Sequence, residues 1–323
     1  MAVKKSIVQG LNEKDMQAIV NTYTLNEFYW PNFFPLKFTP TLTWKALATK
    51  LRIPVAADVV SFNSRSPRKT RRVVERLSGD IPKIEIAFDK EETDINEYHT
   101  LLHYAGTDDG AKAIVEWVYG DSESCWEGVN ARLEWLALRA LSTGKIVLDS
   151  ENNEGVVTET AVTFNIPEDQ QSGVSVIINA ANAATAKPIT KIKEIRKEAK
   201  KKGVILKHIF TDSETFDNIV ACAETQKICA NWVTRSAGMA DVVPSLESFN
   251  AAMKANKLPE MHIIESMVTI QINGKDTVVE PWEVGVMLFT EGIQQGNTYH
   301  GPIADEKIDS EAAKVKREHV LIK

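Results

Sequence analysis

Histidines, cysteines and clustered carboxylates are the residues of this 323-residue chain whose types can do chemistry, and their spacings do not assemble a known reaction. His99 and His103 stand four apart, the spacing of a metal-binding pair on a helix face. The zinc-protease pattern needs glutamate where Thr100 stands, and no third ligand is apparent, so ordinary helix histidines are the reading. Cys222 and Cys229 are seven apart, hence on one helical face, and read as core residues. With Cys125 they make an odd number without a CxxC pair, which fits reduced thiols rather than a disulfide framework. Gly144-Lys145 looks like the end of a phosphate loop, but Arg139 occupies the position of the first glycine and Ile146 that of the Ser/Thr. There is no GxGxxG and no GxSxG. Glu91, Glu92 and Asp94 cluster beside a loop, where a solvated charge run is expected. One arrangement suits an enzyme: the strand VILKHIF, followed by a capped helix, can bring His208 and Asp212 to a cleft. The remainder points to a non-enzymatic, structural protein with no catalytic residue, cofactor or metal.

A second kind of chemistry is charge recognition. The stretch SRSPRKTRRVVERLSGDIP carries Arg65, Arg68, Lys69, Arg71, Arg72 and Arg76. Pro67 and the serines oppose a continuous helix there, so it reads as a charged loop facing either solvent or an acidic neighbour. The formal net charge is −6, which excludes a global attraction to nucleic acid. The N-terminus lacks the apolar core of a signal peptide, and no apolar run approaches the roughly 20 residues of a membrane helix.

The element that must position everything else runs from Thr107 to Lys145. Val118, Ser122, Cys125, Val129, Leu133, Leu136 and Ala140 recur at steps of three and four, one face of a helix. Asp108 or its neighbours can cap its start, and Gly144 suits a left-handed exit. At 1.5 Å per residue it spans on the order of 50 Å. Gly120 and Gly128 each disfavour helix by roughly 1 kcal/mol against alanine, so a bend or break is expected near Gly120, with the best helix after it.

Before this helix lies FYWPNFFPLKFTPTLTW, an extended, proline-broken aromatic segment that must lie over its own domain or over a neighbour. Phe33 and Phe34 are its candidate contact residues. Residues 51–100 read as a long two-stranded excursion, opened by RIPVAADVVSFNS and closed by KIEIAFDKEE, with the basic stretch between. After the helix, Ile146–Leu148 and Val156–Phe164 read as a hairpin around Asn152-Asn153-Glu154-Gly155. Residues 186–300 read as an α/β lobe. It has a helix from Pro188 to Gly203, a short strand, a Thr211–Glu214 capping box opening a helix through Ala223, a Ser245-capped helix and an Asn273-Gly274 hairpin. The fold class is α+β.

This order of elements resembles the major capsid protein of tailed bacteriophages, with the Hong Kong 97-like fold, and in detail the lambda-type phage major capsid protein E family. The carrying segments are IPVAADVVSFNSRSPRK, EWLALRALSTGKIVL, VTETAVTFNIP and VILKHIFTDSETFDNI, which together span most of residues 30–230. The resemblance implies an N-terminal arm (1–50), an extended loop (51–100), a peripheral domain with the spine helix (101–185), an axial domain (186–300) and a return to the peripheral domain (301–323). It implies self-assembly into hexamers and pentamers that close an icosahedral shell around double-stranded DNA. The protein would then be made in a bacterial cytoplasm and reside in the virion. Portal, scaffolding or decoration proteins are the implied partners, and no membrane is. On this reading Arg65, Arg68, Lys69, Arg71 and Arg72, with Phe33 and Phe34, contact neighbouring subunits. An encapsulin-like cargo shell is the nearest alternative, and a soluble α/β enzyme a more distant one.

Overall fold

The computed structural model describes residues 13–23, 28–49, 74–88, 91–103, 108–155, 161–164, 166–171, 178–233, 243–303, 306 and 314–322. The chain opens with helix α1 (Glu13–Val20), a four-residue helix α2 (Trp30–Phe33) and strand β1 (Leu36–Phe38). Pro31 sits in the first turn of α2, where its missing N–H costs nothing. Strands β2 (Thr43–Thr49) and β3 (Val74–Asp80) pair antiparallel from Thr43↔Asp80 to Thr49↔Val74. The expected opening strand, RIPVAADVVSFNS, lies outside the described residues, and the closing strand differs from expectation. KIEIAFDKEE forms no strand in its described part; residues 81–88 are irregular and mostly exposed. VERLSGD, expected as loop for its charges, supplies the ladder to TWKALAT instead, because cross-strand pairing outweighs its low strand propensity.

Helix α3 (Glu92–His103) leads into α4 (Asp108–Thr143), a 36-residue helix. The expected break at Gly120 does not occur. The helix runs unbroken through Gly120, and nothing lies within 4 Å of where a Cβ would stand there. Gly128 has a different reason: the Ile86 Cδ1 would lie 2.9 Å from an added Cβ, because segment 81–88 crosses the helix here. Gly144 ends α4 at φ +69, the left-handed exit.

The deep face of α4 also differs from expectation. Ser122, Cys125, Val129, Leu133, Leu136 and Ala140 are only half-buried. The buried line is Trp126, Asn130, Glu134, Leu138 and Ser142, at steps of four. The helix is packed on both flanks of this line, so its centre of burial is set by neighbours rather than by apolar periodicity. Three apolar clusters lie along it. Trp126 and Val129 meet α1 and the C-terminal hairpin of β12 (Val315–Arg317) and β13 (Val320–Ile322). Trp135 and Leu136 meet the hairpin of β8 (Val268–Ile272) and β9 (Lys275–Val279), whose Asn273 and Gly274 turn at positive φ. Leu138 and Leu141 meet the aromatic segment.

Strands β4 (Lys145–Val147) and β5 (Ala161–Thr163) pair antiparallel; residues 156–160 of the expected second strand lie outside the described residues. Helix α5 (Pro188–Lys201) follows, then β6 (His208–Thr211). The helix expected through Ala223 is two: α6 (Ser213–Val220) and α7 (Ala223–Val233), with Cys222 between them. Its cap is Asp212, which accepts the Thr215 amide at 2.7 Å, not a Thr211–Glu214 box. Ser245 caps α8 (Leu246–Ala255). Strands β7 (Glu260–Ile263) and β10 (Leu288–Thr290) flank β6, parallel and antiparallel respectively. Finally β11 (Thr298–His300) pairs parallel with β1. The fold is a mixed α+β architecture.

Candidate functional site

The three-stranded sheet β10-β6-β7 is the structure's meeting point, because its two faces serve different neighbours. Side chains alternate along strands. Ile209, Met261 and Phe289 point into the lobe core with Ile189, Ile219, Phe249 and Met253. Phe210, Ile264 and Leu288 point the other way, to Phe33, Leu138 and Trp282. The sheet thus joins the 186–300 lobe to the long helix through the N-terminal aromatic segment.

Two contacts fix that segment. Phe33 meets Phe210 edge-on, with ring centroids 4.9 Å apart, a favourable aromatic geometry. The Glu134 carboxylate, itself fully buried, accepts the amides of Tyr29 at 3.1 Å and Trp30 at 2.8 Å. These are free donors at the start of α2, and a buried carboxylate satisfies them well. Burial pushes the Glu134 carboxyl above its usual range, while the two amides and the Ser266 hydroxyl pull the other way. Beyond α2, β1 pairs with β11. The aromatic segment therefore lies over its own chain.

Beside the aromatic contact is a cleft of about 410 Å³ lined by Tyr29, Asn32, Phe33, Phe210, His262 and Ile293 among others. At its edge His262 stacks on Phe210, with centroids 5.0 Å apart. The His262 Nε2 is 3.0 Å from the His208 Nδ1. Glu260, the cross-strand partner of His208, brings a carboxylate oxygen into the same group, with all three ligand atoms within 4.8 Å of one another. Burial holds the His262 ring below its ordinary range; Glu260 opposes this and His208 adds to it.

Asp212 does not join this group. Its carboxylate accepts Thr215 N and Oγ1 at 2.7 Å each and Gly285 N at 3.1 Å, so it is saturated as a helix cap. It lies four residues from His208 along an extended strand, on the order of 13 Å away. His99 and His103 are exposed on α3, consistent with ordinary surface histidines. Cys222 and Cys229 are buried and free, and Cys125 is half-buried. Burial raises the Cys229 thiol to about 11, far from a reactive thiolate. Phe33 is 2% exposed, which leaves little of its ring for a neighbour, whereas Phe34 is half-buried. Arg65, Arg68, Lys69, Arg71 and Arg72 lie outside the described residues.

Glu134, Glu260 and His262 were not legible as functional residues. Glu134 carried a signal: a carboxylate between Leu133 and Trp135 in the most apolar part of the helix. His262 carried none, since its partner His208 is 54 residues away.

None of the curated proteins matches the chain. Among solved structures it is similar to a protein described as a capsid protein of a prophage of E. coli CFT073. The two share 15% sequence identity and superpose with a TM-score of 0.52, over 93% of this chain and 86% of the other. That likeness speaks for the fold. The model of a sequence family described as phage major capsid protein E matches residues 16–315. Because that match runs from α1 to β12, through both the long helix and the lobe, the chain belongs to the phage major capsid protein E family.

Proposed function

We propose that this protein is the shell subunit of a tailed-phage head, folded in the Hong Kong 97 manner and closing as hexamers and pentamers around double-stranded DNA. The observation that carries the reading is the family match over residues 16–315. Membership of a capsid family points to a structural rather than a catalytic role, in the virion. No helix among the described residues is long and apolar enough to cross a membrane.

The finer reading assigns an arm (1–50), an extended loop (51–100), a peripheral domain (101–185 with 301–323) and an axial domain (186–300). What supports the division is the packing. The lobe helices keep a cluster of their own on one sheet face. The C-terminal hairpin joins the first helix and Trp126 of the long helix. The β2–β3 ladder pairs Thr49 with Val74, and the 24 residues between them, which lie outside the described residues, are a connection long enough for an overlapping loop. In this reading Arg65, Arg68, Lys69, Arg71 and Arg72, with Phe34 and whatever edge of Phe33 is reachable, meet acidic or apolar surface of a neighbour. Exposed ion pairs contribute only about 0–1 kcal/mol each, so they set register more than strength. Portal, scaffolding or decoration proteins are the expected heterologous partners.

Negative-stain microscopy with light scattering on the purified chain, alone and coexpressed with the other head proteins of its phage, tests this. Closed shells or rings of five and six are expected, with nucleic acid rather than protein cargo in particles made during infection. A small uniform oligomer under every condition would overturn it, and protein cargo would favour a storage compartment instead. Replacing Arg65, Arg68, Arg71 and Arg72 together by serine should abolish normal shells while the monomer's circular dichroism stays unchanged; normal shells from that variant would remove the role given to the cluster.

A further inference from the structure

We propose that His208, His262 and Glu260 form a binding site for one divalent transition metal of the zinc class, at the open end of the β6–β7 pair. The site is independent of the shell reading. Its geometry comes from the parallel register. His208 and Glu260 are direct cross-strand partners, and His262 lies two residues beyond Glu260. Alternation puts all three side chains on one sheet face. Their ligand atoms converge within 4.8 Å of one another.

The ring-to-ring distance fits a shared ion. Two nitrogens held at 2.0–2.1 Å from zinc stand about 2.9 Å apart at a right angle and about 3.3 Å apart at the tetrahedral angle. The observed separation of His208 Nδ1 and His262 Nε2 is 3.0 Å. Two imidazoles and one carboxylate are a borderline-soft donor set that favours zinc, copper or nickel over magnesium or calcium. Phe210 stacks on His262 and holds the plane of that ring. The exposure of Glu260 and the adjoining cleft leave a coordination position open to water or to an incoming side chain. A bound ion would tie the start of β6 to the start of β7, joining the strand that follows α5 to the one that follows α8.

The competing explanation of the 3.0 Å contact is a hydrogen bond between two neutral rings, with no affinity for metal. A second histidine pair, His99 and His103 on α3, can also attract zinc and must be separated from the first. The untagged full chain, stripped by a chelator, is titrated with Zn²⁺ by calorimetry and with Co²⁺ by visible absorption. Thermal melting is followed with Zn²⁺ and with Mg²⁺. Saturable binding of one ion at the proposed site, a tetrahedral-type Co²⁺ spectrum, and a melting temperature raised by Zn²⁺ but not by Mg²⁺ are expected. Glu260→Gln, at an exposed position, and His262→Gln should each weaken this binding about 100-fold or more. The double variant His99→Gln/His103→Gln should leave it intact. Metal-free melting of Glu260→Gln equal to wild type guards against misfolding. Absence of binding, binding unchanged in Glu260→Gln and His262→Gln, or binding lost in the His99/His103 variant would each overturn the proposal.

Discussion

The Glu134 carboxylate receives the Trp30 amide at 2.8 Å across 104 residues of sequence. Through that bond the C-terminal third of a 36-residue helix holds the first turn of a four-residue one. Helix α2 is too short to be stable alone, so its direction depends on this bond together with the Phe33 contacts and the β1–β11 ladder. Replacing Glu134 by alanine leaves two buried amides without an acceptor, each costing about 1–3 kcal/mol. The expected loss of stability is about 2–4 kcal/mol by urea denaturation, with hydrogen exchange at the Tyr29 and Trp30 amides losing its protection. A loss below about 0.5 kcal/mol would show that the carboxylate is not what anchors the segment.

Phe33 tests the same anchor from the apolar side. It is 2% exposed and shares a cluster with Leu138, Phe210, Ile264 and Trp282. Phe33→Ala should destabilise by about 3–5 kcal/mol, from lost transfer energy and the cavity left behind. Combined with Glu134→Ala the loss should be less than the sum, because either change alone frees the segment on which both act. Strict additivity in the double-mutant cycle would refute a shared anchor.

His319 gives the fold a pH dependence. Its side chain is 7% exposed and lies edge-on to Trp30, at 5.7 Å between centroids. Burial, with His300 adding to it, lowers its pKa from 6.5 to about 4. Glu318 stands 4.0 Å away but is 61% exposed, too weak a partner to keep the ring charged. The ring is thus neutral when folded, while the unfolded chain takes up a proton near pH 6.5. Its contribution is fully present above pH 6.5 and is lost as pH falls from there toward about 4, by about 3 kcal/mol at full effect. Burial lowers His300 as well, with Lys316 adding and Glu306 and Glu318 opposing, and the sign is the same. Urea midpoints from pH 7.5 to 4.5 should fall for the wild type and fall less steeply for His319→Phe. Parallel curves would rule the assignment out.

Gly120 and Gly128 of α4 make opposite use of space. Nothing meets a Cβ at Gly120, so Gly120→Ala should stabilise by up to about 1 kcal/mol through helix propensity alone. At Gly128 the added Cβ meets the Ile86 Cδ1 at 2.9 Å, which must move, so Gly128→Ala should gain less or lose slightly. No gain at Gly120 would mean that the helix is not continuous there.

Much of the architecture was legible because it is written locally. The long helix, the Gly144 exit, the Ser245 cap, Pro188 at a helix start and the Asn273-Gly274 turn all depend on residues within a few positions of one another. The order of these elements was enough to suggest the capsid family. What depends on a distant partner was not legible. That VERLSGD rather than KIEIAFDKEE forms the strand was not legible, because strand pairing across a long excursion has no local signature. The buried stripe of α4 was placed wrongly because its centre is polar. Asn130 donates to the Trp126 carbonyl one turn earlier in the same helix, whereas the amides that Glu134 accepts come from elsewhere in the chain.

The ends of the long helix, the starts at Pro188 and Ser245, the tight Asn273-Gly274 turn and the family resemblance could be read without any structure, since caps, turns and element order are short-range properties. Long-range packing docks the aromatic segment on its own chain and brings Glu134 to Trp30. It alone brings His208 to His262. Those pairings join residues 54 and 104 positions apart, and they form where burial leaves a donor or a ring nitrogen in need of a partner.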